Sequence, residues 1–118
     1  MMNPAAQIVI MMVALLHFWF LILEMFLWNK PTGHRIFRLT PEFAAASRSL
    51  AANQGLYNGF LAAGLLWGMS MGSSGNHITV FFLGCVIVAG VFGAMTVNPR
   101  IFWIQAMPAI IALVLLAI

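Results

Sequence analysis

The sequence predicts an all-α integral membrane protein, a single domain built as a bundle of four transmembrane helices. Of its 118 residues 64% are hydrophobic and only 6% are charged, whereas about a quarter of the residues of a soluble globular domain are charged. The apolar residues fall into four segments, each with about the 20 residues that a helix needs to cross the hydrocarbon of a bilayer. A protein of this composition is expected in a membrane.

The four predicted helices cover about residues 4–28, 41–70, 77–97 and 99–118. Asparagine or threonine accepts hydrogen bonds from the free amides of a first helical turn, and proline at the next position needs no donor. This start signal occurs three times, at Asn3-Pro4, Thr40-Pro41 and Asn98-Pro99. The remaining helix follows a stretch of glycine and serine that favours a turn.

The basic residues predict the orientation of the chain. Cytoplasmic loops carry an excess of lysine and arginine. These residues lie in or just beyond the first and third predicted loops, as Lys30, Arg35, Arg38, Arg48 and Arg100. We therefore expect both termini outside, in an inner membrane that the chain crosses four times, with the lipid bilayer as its surroundings.

Several functional classes are excluded by what the sequence lacks. Cys85 is the only cysteine, so the chain can form neither an intrachain disulfide nor a thiolate metal cluster. The histidines His17, His34 and His77 are expected at three different depths, which makes a zinc site improbable, and we predict no metal. Five basic residues are too few for a nucleic-acid-binding stripe, and no nucleotide-binding or nucleophile-elbow motif is present.

His17 and Glu24 are the ionisable residues of the first predicted helix. They are seven residues apart and therefore lie on one helical face. Because ionisable groups inside a bilayer are expensive, the pair predicts a functional site. We interpret Glu24 as a base or charge partner and His17 as a proton-exchanging group. The alternative is that Glu24 pairs with a loop cation and His17 hydrogen-bonds a neighbouring helix.

A second group of polar residues is predicted to bind the ligand of this site. Carboxamides and a phenol donate and accept hydrogen bonds without carrying charge, which suits them to orient a polar substrate or to hold Glu24 and His17. Polar contacts between helices are an equally good interpretation. The predicted ligand-binding residues are Arg48, Asn53, Gln54, Tyr57 and Asn58 in the second helix and Gln105 in the last.

Small residues recur every four positions in the second predicted helix. Such a ladder lets another helix backbone approach closely, either within the chain or in a second copy. The pattern, together with the polar residues beside it, leads us to expect a homo-oligomer. The ladder consists of Ala51, Gly55, Gly59 and Ala63.

Two segments together resemble the small integral membrane proteins named domain-of-unknown-function family 1304. They are His17-x6-Glu24-Met25-Phe26-x-Trp28 and Ala51-Ala52-Asn53-Gln54-Gly55-Leu56-Tyr57-Asn58-Gly59-Phe60. The resemblance covers nearly the whole chain, and the second segment is the more specific of the two. The family name itself implies no activity.

The second helix also resembles that of the membrane-associated eicosanoid and glutathione metabolism proteins, which are trimers of four-helix subunits that bind glutathione near the cytoplasmic face. Arg48 and Asn53 are similar to an arginine and asparagine of that family, with a spacing about one residue off. Gln105-Ala106-Met107-Pro108 is similar to its Gln-x-x-Pro. The acidic residue that should follow the asparagine is absent here. The resemblance implies glutathione as ligand and a trimer.

We expect these features to form an intramembrane polar pocket between the first two helices, near the cytoplasmic face, that holds a small molecule. A glutathione-transferase-like enzyme is one interpretation of such a pocket. A small transporter or channel subunit is an alternative, and so is a structural membrane partner without a ligand.

Overall fold

The computed structural model describes residues 3–118, and these residues form five α-helices and no β-strand. The predicted all-α class is therefore confirmed. The helices are α1 (Pro4–Met25), α2 (Pro31–Phe37), α3 (Pro41–Ser70), α4 (Asn76–Thr96) and α5 (Met107–Ala117), with a 3-10 turn at Gly72–Gly75 and a π-helical turn at Phe102–Ala106.

The short helix α2 lies in the segment that the sequence predicts as a loop. Helix α1 ends at Met25, three residues before the predicted end, and the Leu27 amide donates to the Ile22 carbonyl at 3.2 Å. Pro31 then starts α2, which is only seven residues long. A helix of two turns has too few residues to show a periodic apolar pattern, so hydrophobic periodicity does not reveal it.

The last predicted helix, 99–118, contains a change of helix type. The Met107 amide donates to the Phe102 carbonyl, five residues earlier, and regular α-helix begins only at Met107. Pro108 has no amide hydrogen and cannot bond to the Ile104 carbonyl four residues before it. The backbone irregularity that precedes this proline takes the form of a π-helical turn.

Two helices among the described residues are long and apolar enough to cross a membrane, Pro4–Met25 and Gly72–Thr96. The apolar stretch Phe102–Ala117 is shorter, and α3, with 30 residues, carries more polar side chains. Two such helices are weak evidence for a membrane protein, and the four crossings stay a prediction.

The chain forms two compact units, one comprising residues up to Leu15 together with Leu61–Ile118 and the other comprising Leu16–Phe60. Asn3 joins two helices of the first unit. Its Oδ1 accepts from the Ala6 amide at 2.7 Å, and its Nδ2 donates to the Leu115 carbonyl at 2.7 Å. The buried core of this unit consists of Ala6, Ile10, Val13, Ala14, Leu65, Leu83, Val86, Ala109 and Ala112.

Helix α4 contacts the π-helical turn through Gly90. A Cβ added at Gly90 would lie 2.6 Å from the Ala106 nitrogen and 2.8 Å from the Ala106 Cβ. By contrast, a Cβ added at Gly84, on the same helix, would have no heavy atom within 4 Å. Gly90 is therefore packed closely against a neighbouring segment, whereas Gly84, on the same helix, is not.

We expect Gly90→Ala to lower the free energy of unfolding by about 1–3 kcal/mol, because the new methyl group overlaps backbone atoms that cannot rotate away. Gly84→Ala is the matched control. It should leave stability unchanged or raise it by up to about 1 kcal/mol through helix propensity. Denaturation of the purified variants measures both, and equal stability of the two would contradict the close contact at Ala106.

Candidate functional site

The second unit, Leu16–Phe60, pairs the end of α1 with the start of α3, and two glycines set the distance between the helices. A Cβ at Gly55 would lie 2.7 Å from the Met25 Cγ and 3.0 Å from the Glu24 Cβ. A Cβ at Gly59 would lie 2.6 Å from the Leu21 Cδ1. These two members of the small-residue ladder thus pack against a helix of the same chain.

Close approach of the two helices brings Glu24 and Asn58 together. The Asn58 Nδ2 donates a hydrogen bond to the Glu24 Oε1 at 2.5 Å. Asn58 is buried and Glu24 is half-buried. A carboxylate offers about four acceptor positions on its two oxygens, and this bond occupies one of them. The remaining positions can accept hydrogen bonds from a ligand.

The inner face of α3 explains why Asn58, and not its polar neighbours, meets Glu24. Ala51, Gly55 and Asn58 are buried and follow one another at intervals of four and three residues, so they form one helical stripe. Asn58 lies on this stripe, three residues after the glycine that touches Glu24. Its contact with Glu24 therefore follows from the position of Gly55.

His17 lies on the same helix as Glu24 and is fully buried, with an exposed fraction of 0%. Its ring meets that of Phe20 edge to face, with 5.3 Å between the ring centroids. Seven residues correspond to about 10 Å along a helix, which separates His17 from Glu24. The two residues share a helix face, as the sequence predicts, at different depths.

The other predicted ligand-binding residues of α3 are not buried with Asn58. Asn53, Gln54 and Tyr57 are exposed on α3, and Arg48 is exposed nearer its start. Gln105 is half-buried in the first unit. Of the five predicted ligand-binding residues on α3, Asn58 is the one that hydrogen-bonds Glu24.

A cavity at the end of α1 is lined by Arg48, a predicted ligand-binding residue, and by residues to which the sequence assigned no role in binding. It has a volume of about 110 Å³ and carries two basic side chains, those of Lys30 and Arg48, on its wall. Neither forms an ion pair within residues 3–118. The remaining wall consists of Met25, Phe26, Trp28 and Asn29.

The indole of Trp28 is held in place on this wall by two contacts. Its Nε1 donates to the Ser47 Oγ at 2.9 Å, and the Ser47 Oγ donates to the Phe43 carbonyl at 2.6 Å. Phe37 packs against the indole, with 4.9 Å between ring centroids. A tryptophan followed closely by a lysine, with an arginine on the next long helix, was the available sequence signal for this cavity.

Helix α2 closes tightly against the end of α1 because it carries a glycine there. A Cβ at Gly33 would lie 2.1 Å from the Leu27 carbonyl oxygen and 2.7 Å from that of Trp28. His34, on the same helix, has its Nε2 3.0 Å from the Asn29 Oδ1. The segment around the cavity is thereby tied to α2 by backbone and side-chain contacts.

The described residues contain no group of three or more histidine, cysteine, aspartate or glutamate side chains that could hold a metal ion. Glu24 and Asn58 supply a carboxylate and a carboxamide, and the cavity supplies two cations.

Comparison with known proteins gives a family and no activity. A model of the family described as "Protein of unknown function (DUF1304)" matches residues 11–117. The chain is 32% identical over 106 residues to "Uncharacterized protein YpaA" of Lactococcus lactis subsp. lactis (strain IL1403), which covers 88% of this chain and 89% of that protein. No solved structure is significantly similar to this chain.

The bond between Asn58 and Glu24 predicts a specific energetic coupling. We expect Asn58→Ala to lower the free energy of unfolding by about 1–3 kcal/mol, since it leaves a partly buried acceptor without its donor. The cost should fall in a Glu24→Leu background, because removing both partners is nearly neutral.

Ser49→Ala, which removes a polar side chain from the exposed part of the same helix, is the control and should change stability by less than about 0.5 kcal/mol. An equal cost of Asn58→Ala in both backgrounds, measured by denaturation of the four variants, would show that the bond contributes nothing.

Proposed function

The chain belongs to the DUF1304 family of proteins of unknown function, and we propose that it is an inner-membrane protein of four spans that binds a small molecule beside Glu24. The observation that carries the proposal is the hydrogen bond from Asn58 to Glu24, at a point where two largely apolar helices pack closely. A carboxylate retained in such surroundings is costly, and function is the simplest reason to keep it.

The exposed apolar surface supports a membrane location. Soluble monomers rarely expose contiguous apolar patches larger than a few hundred Å². Large hydrophobic side chains are exposed on three of the long helices here, including Met12, Phe18, Trp67, Phe81 and Phe92. Six of the seven charged residues lie between residues 24 and 48, so the charges are confined to a short part of the chain.

In the proposed site Glu24 acts as a base or charge partner, and Asn58 orients its carboxylate. Asn58 fixes one carboxylate oxygen, so ligand donors bind at the remaining acceptor positions. His17 is buried on the same helix, about 10 Å from Glu24 along the axis, and exchanges a proton with the site through water or a polar group of α3. A carboxylate with an orienting carboxamide suits proton transfer or the binding of an N–H or O–H group.

The outer face of α3 supports the proposal of a homo-oligomer. Asn53, Gln54 and Tyr57 are exposed more than three turns from the start of this helix. Polar side chains in contact with lipid need hydrogen-bond partners. A second copy or the ligand supplies them, and a trimer of the kind that the glutathione-metabolising proteins form is one such assembly.

Glutathione is the alternative ligand, favoured by the exposed guanidinium of Arg48 on the cavity wall. An arginine can bind a peptide carboxylate through two parallel hydrogen bonds. In this version of the proposal the protein is a membrane enzyme of glutathione-transferase type.

The orientation can be tested by cysteine labelling in a Cys85→Ala background. We expect a membrane-impermeant maleimide to label Ser74→Cys in intact cells, because the basic loops should be cytoplasmic. Thr32→Cys should react only after the membrane is permeabilised. The reverse labelling pattern would invert the topology, and labelling of both positions in intact cells would reject the four spans.

The small-molecule site can be tested by comparing what co-purifies with three forms of the protein. Loss of a charged hydrogen-bond partner costs about 1.5–3 kcal/mol, which is about tenfold or more in affinity. We therefore expect mass spectrometry to find a compound bound to wild type and depleted at least about tenfold in Glu24→Gln. Glu42→Gln, which alters the only other acidic residue, is the control and should retain it.

Identical small-molecule content of wild type and Glu24→Gln would reject the site and leave the protein a structural membrane partner. Glu24→Gln keeps the shape of the side chain and its acceptor oxygen for Asn58, so its melting temperature should match wild type. A loss of the compound would then report on the charge and not on folding.

A further inference from the structure

The cavity at the end of α1 carries two positive charges that nothing in the described chain neutralises. Lys30 and Arg48 both line it, and neither forms an ion pair within the part of the chain that the structure describes. No acidic residue lines the cavity. Because both cations line one small cavity, an anion bound there is attracted by both.

We propose that this cavity binds the phosphate group of an anionic ligand. A phosphate concentrates up to two negative charges on one centre, which matches two cations better than a single carboxylate does. The guanidinium of Arg48 can donate two parallel hydrogen bonds to phosphate oxygens, and the ammonium of Lys30 binds phosphate as a point charge.

The size of the cavity also favours phosphate over a larger anion. Its volume of about 110 Å³ is a few times the volume of one water molecule in the liquid, which is roughly 30 Å³. A phosphate group fits this space together with a water molecule. A tripeptide such as glutathione would extend well outside it.

The walls of the cavity are fixed before a ligand arrives. Trp28 is held by its hydrogen bond to Ser47 and by the ring of Phe37. Asn29 is held by His34. A ligand that enters therefore does not have to order these side chains, and preorganisation of this kind improves affinity.

The rest of the phosphate-bearing ligand has an apolar path out of the cavity. Met25 and Phe26 form part of the wall, and 63% of the Phe26 side chain is exposed. An acyl chain attached to the phosphate could lie along these residues, as in a phospholipid. A soluble phosphate ester would bind through the two cations alone. Binding of a phospholipid should therefore depend on Phe26, and binding of a soluble ester should not.

The test is a titration of the purified protein, in non-ionic detergent, with dioctanoyl phosphatidic acid, followed by calorimetry. Dioctanoyl glycerol has the same chains without phosphate and should not bind. We expect Lys30→Gln and Arg48→Gln each to weaken binding of the phosphatidic acid at least about tenfold, because each removes a charge-assisted contact to the phosphate.

The basic residue Arg35 provides a matched control. It lies on α2, close to Lys30 in sequence, and does not line the cavity. Arg35→Gln removes the same charge and should change the affinity by less than about threefold, as expected for an exposed charge. Equal weakening by Arg35→Gln would show diffuse attraction to a basic segment and would overturn the inference.

Titration with inorganic phosphate distinguishes the two sources of the phosphate group. Tighter binding of phosphatidic acid than of inorganic phosphate, with the difference lost in Phe26→Ser, supports a lipid headgroup. Equal affinities with the same dependence on Lys30 and Arg48 support a soluble ester. Binding of neither, or binding of glutathione at Arg48 in preference to both, would overturn the inference.

The inference rests on the proposed function, because both place a ligand in the second unit. The variant Glu24→Gln distinguishes the phosphate-binding cavity from the small-molecule site at Glu24. This variant should lose the co-purified compound and still bind phosphate within about threefold of wild type, since Glu24 does not line the cavity. Loss of phosphate binding in Lys30→Gln and Arg48→Gln alone would support the cavity even if the site at Glu24 failed.

Discussion

The contact of α3 with α1 at Gly55 is the constraint on which the candidate site depends. The α-carbon of Gly55 lies so close to Glu24, Met25 and Leu21 that no larger residue fits without displacement. This spacing is what allows the short side chain of Asn58 to reach a carboxylate on the neighbouring helix. If the two helices were further apart, Asn58 could not reach Glu24. The carboxylate would then face an apolar helix and could be hydrogen-bonded only by water.

The sequence predicted the fold class and singled out the two residues of the central contact, because both predictions rest on local signals. Apolar composition and the Asn-Pro or Thr-Pro start signals indicate helices without reference to tertiary structure. Glu24 and Asn58 were both singled out as polar residues in apolar helices. Holding Glu24 was one of the two roles predicted for the polar residues of the second helix. Which of them does so was not predicted, because it depends on which face of α3 meets α1, and polar residues occur on several faces of that helix.

The cavity and α2 were missed for a different reason. Asn29 and Lys30 lie in a segment predicted as a loop, and Trp28 was predicted as the end of the first helix. The position of Trp28 depends on Gly33, Ser47 and Phe37. Contacts of this kind join residues distant in sequence and leave no periodic pattern. The second unit thus contains two polar neighbourhoods of opposite character, a carboxylate beside Asn58 and a cavity lined by two cations.

The π-helical turn before α5 changes the angular phase of every residue that follows it. Five residues bridge a hydrogen bond that four would span in a regular α-helix, so the side chains beyond Ala106 are rotated by about one residue position, roughly 100°, relative to an uninterrupted helix. Ala109 and Ala112 enter the core with that rotation in place. Deleting one residue within the turn would therefore restore a regular α-helix and leave Ala109 and Ala112 in place, whereas straightening the turn without a deletion would bring Pro108 and Ile111 to positions that now hold alanine. A deletion should consequently be tolerated better within the turn than in the helix that follows it.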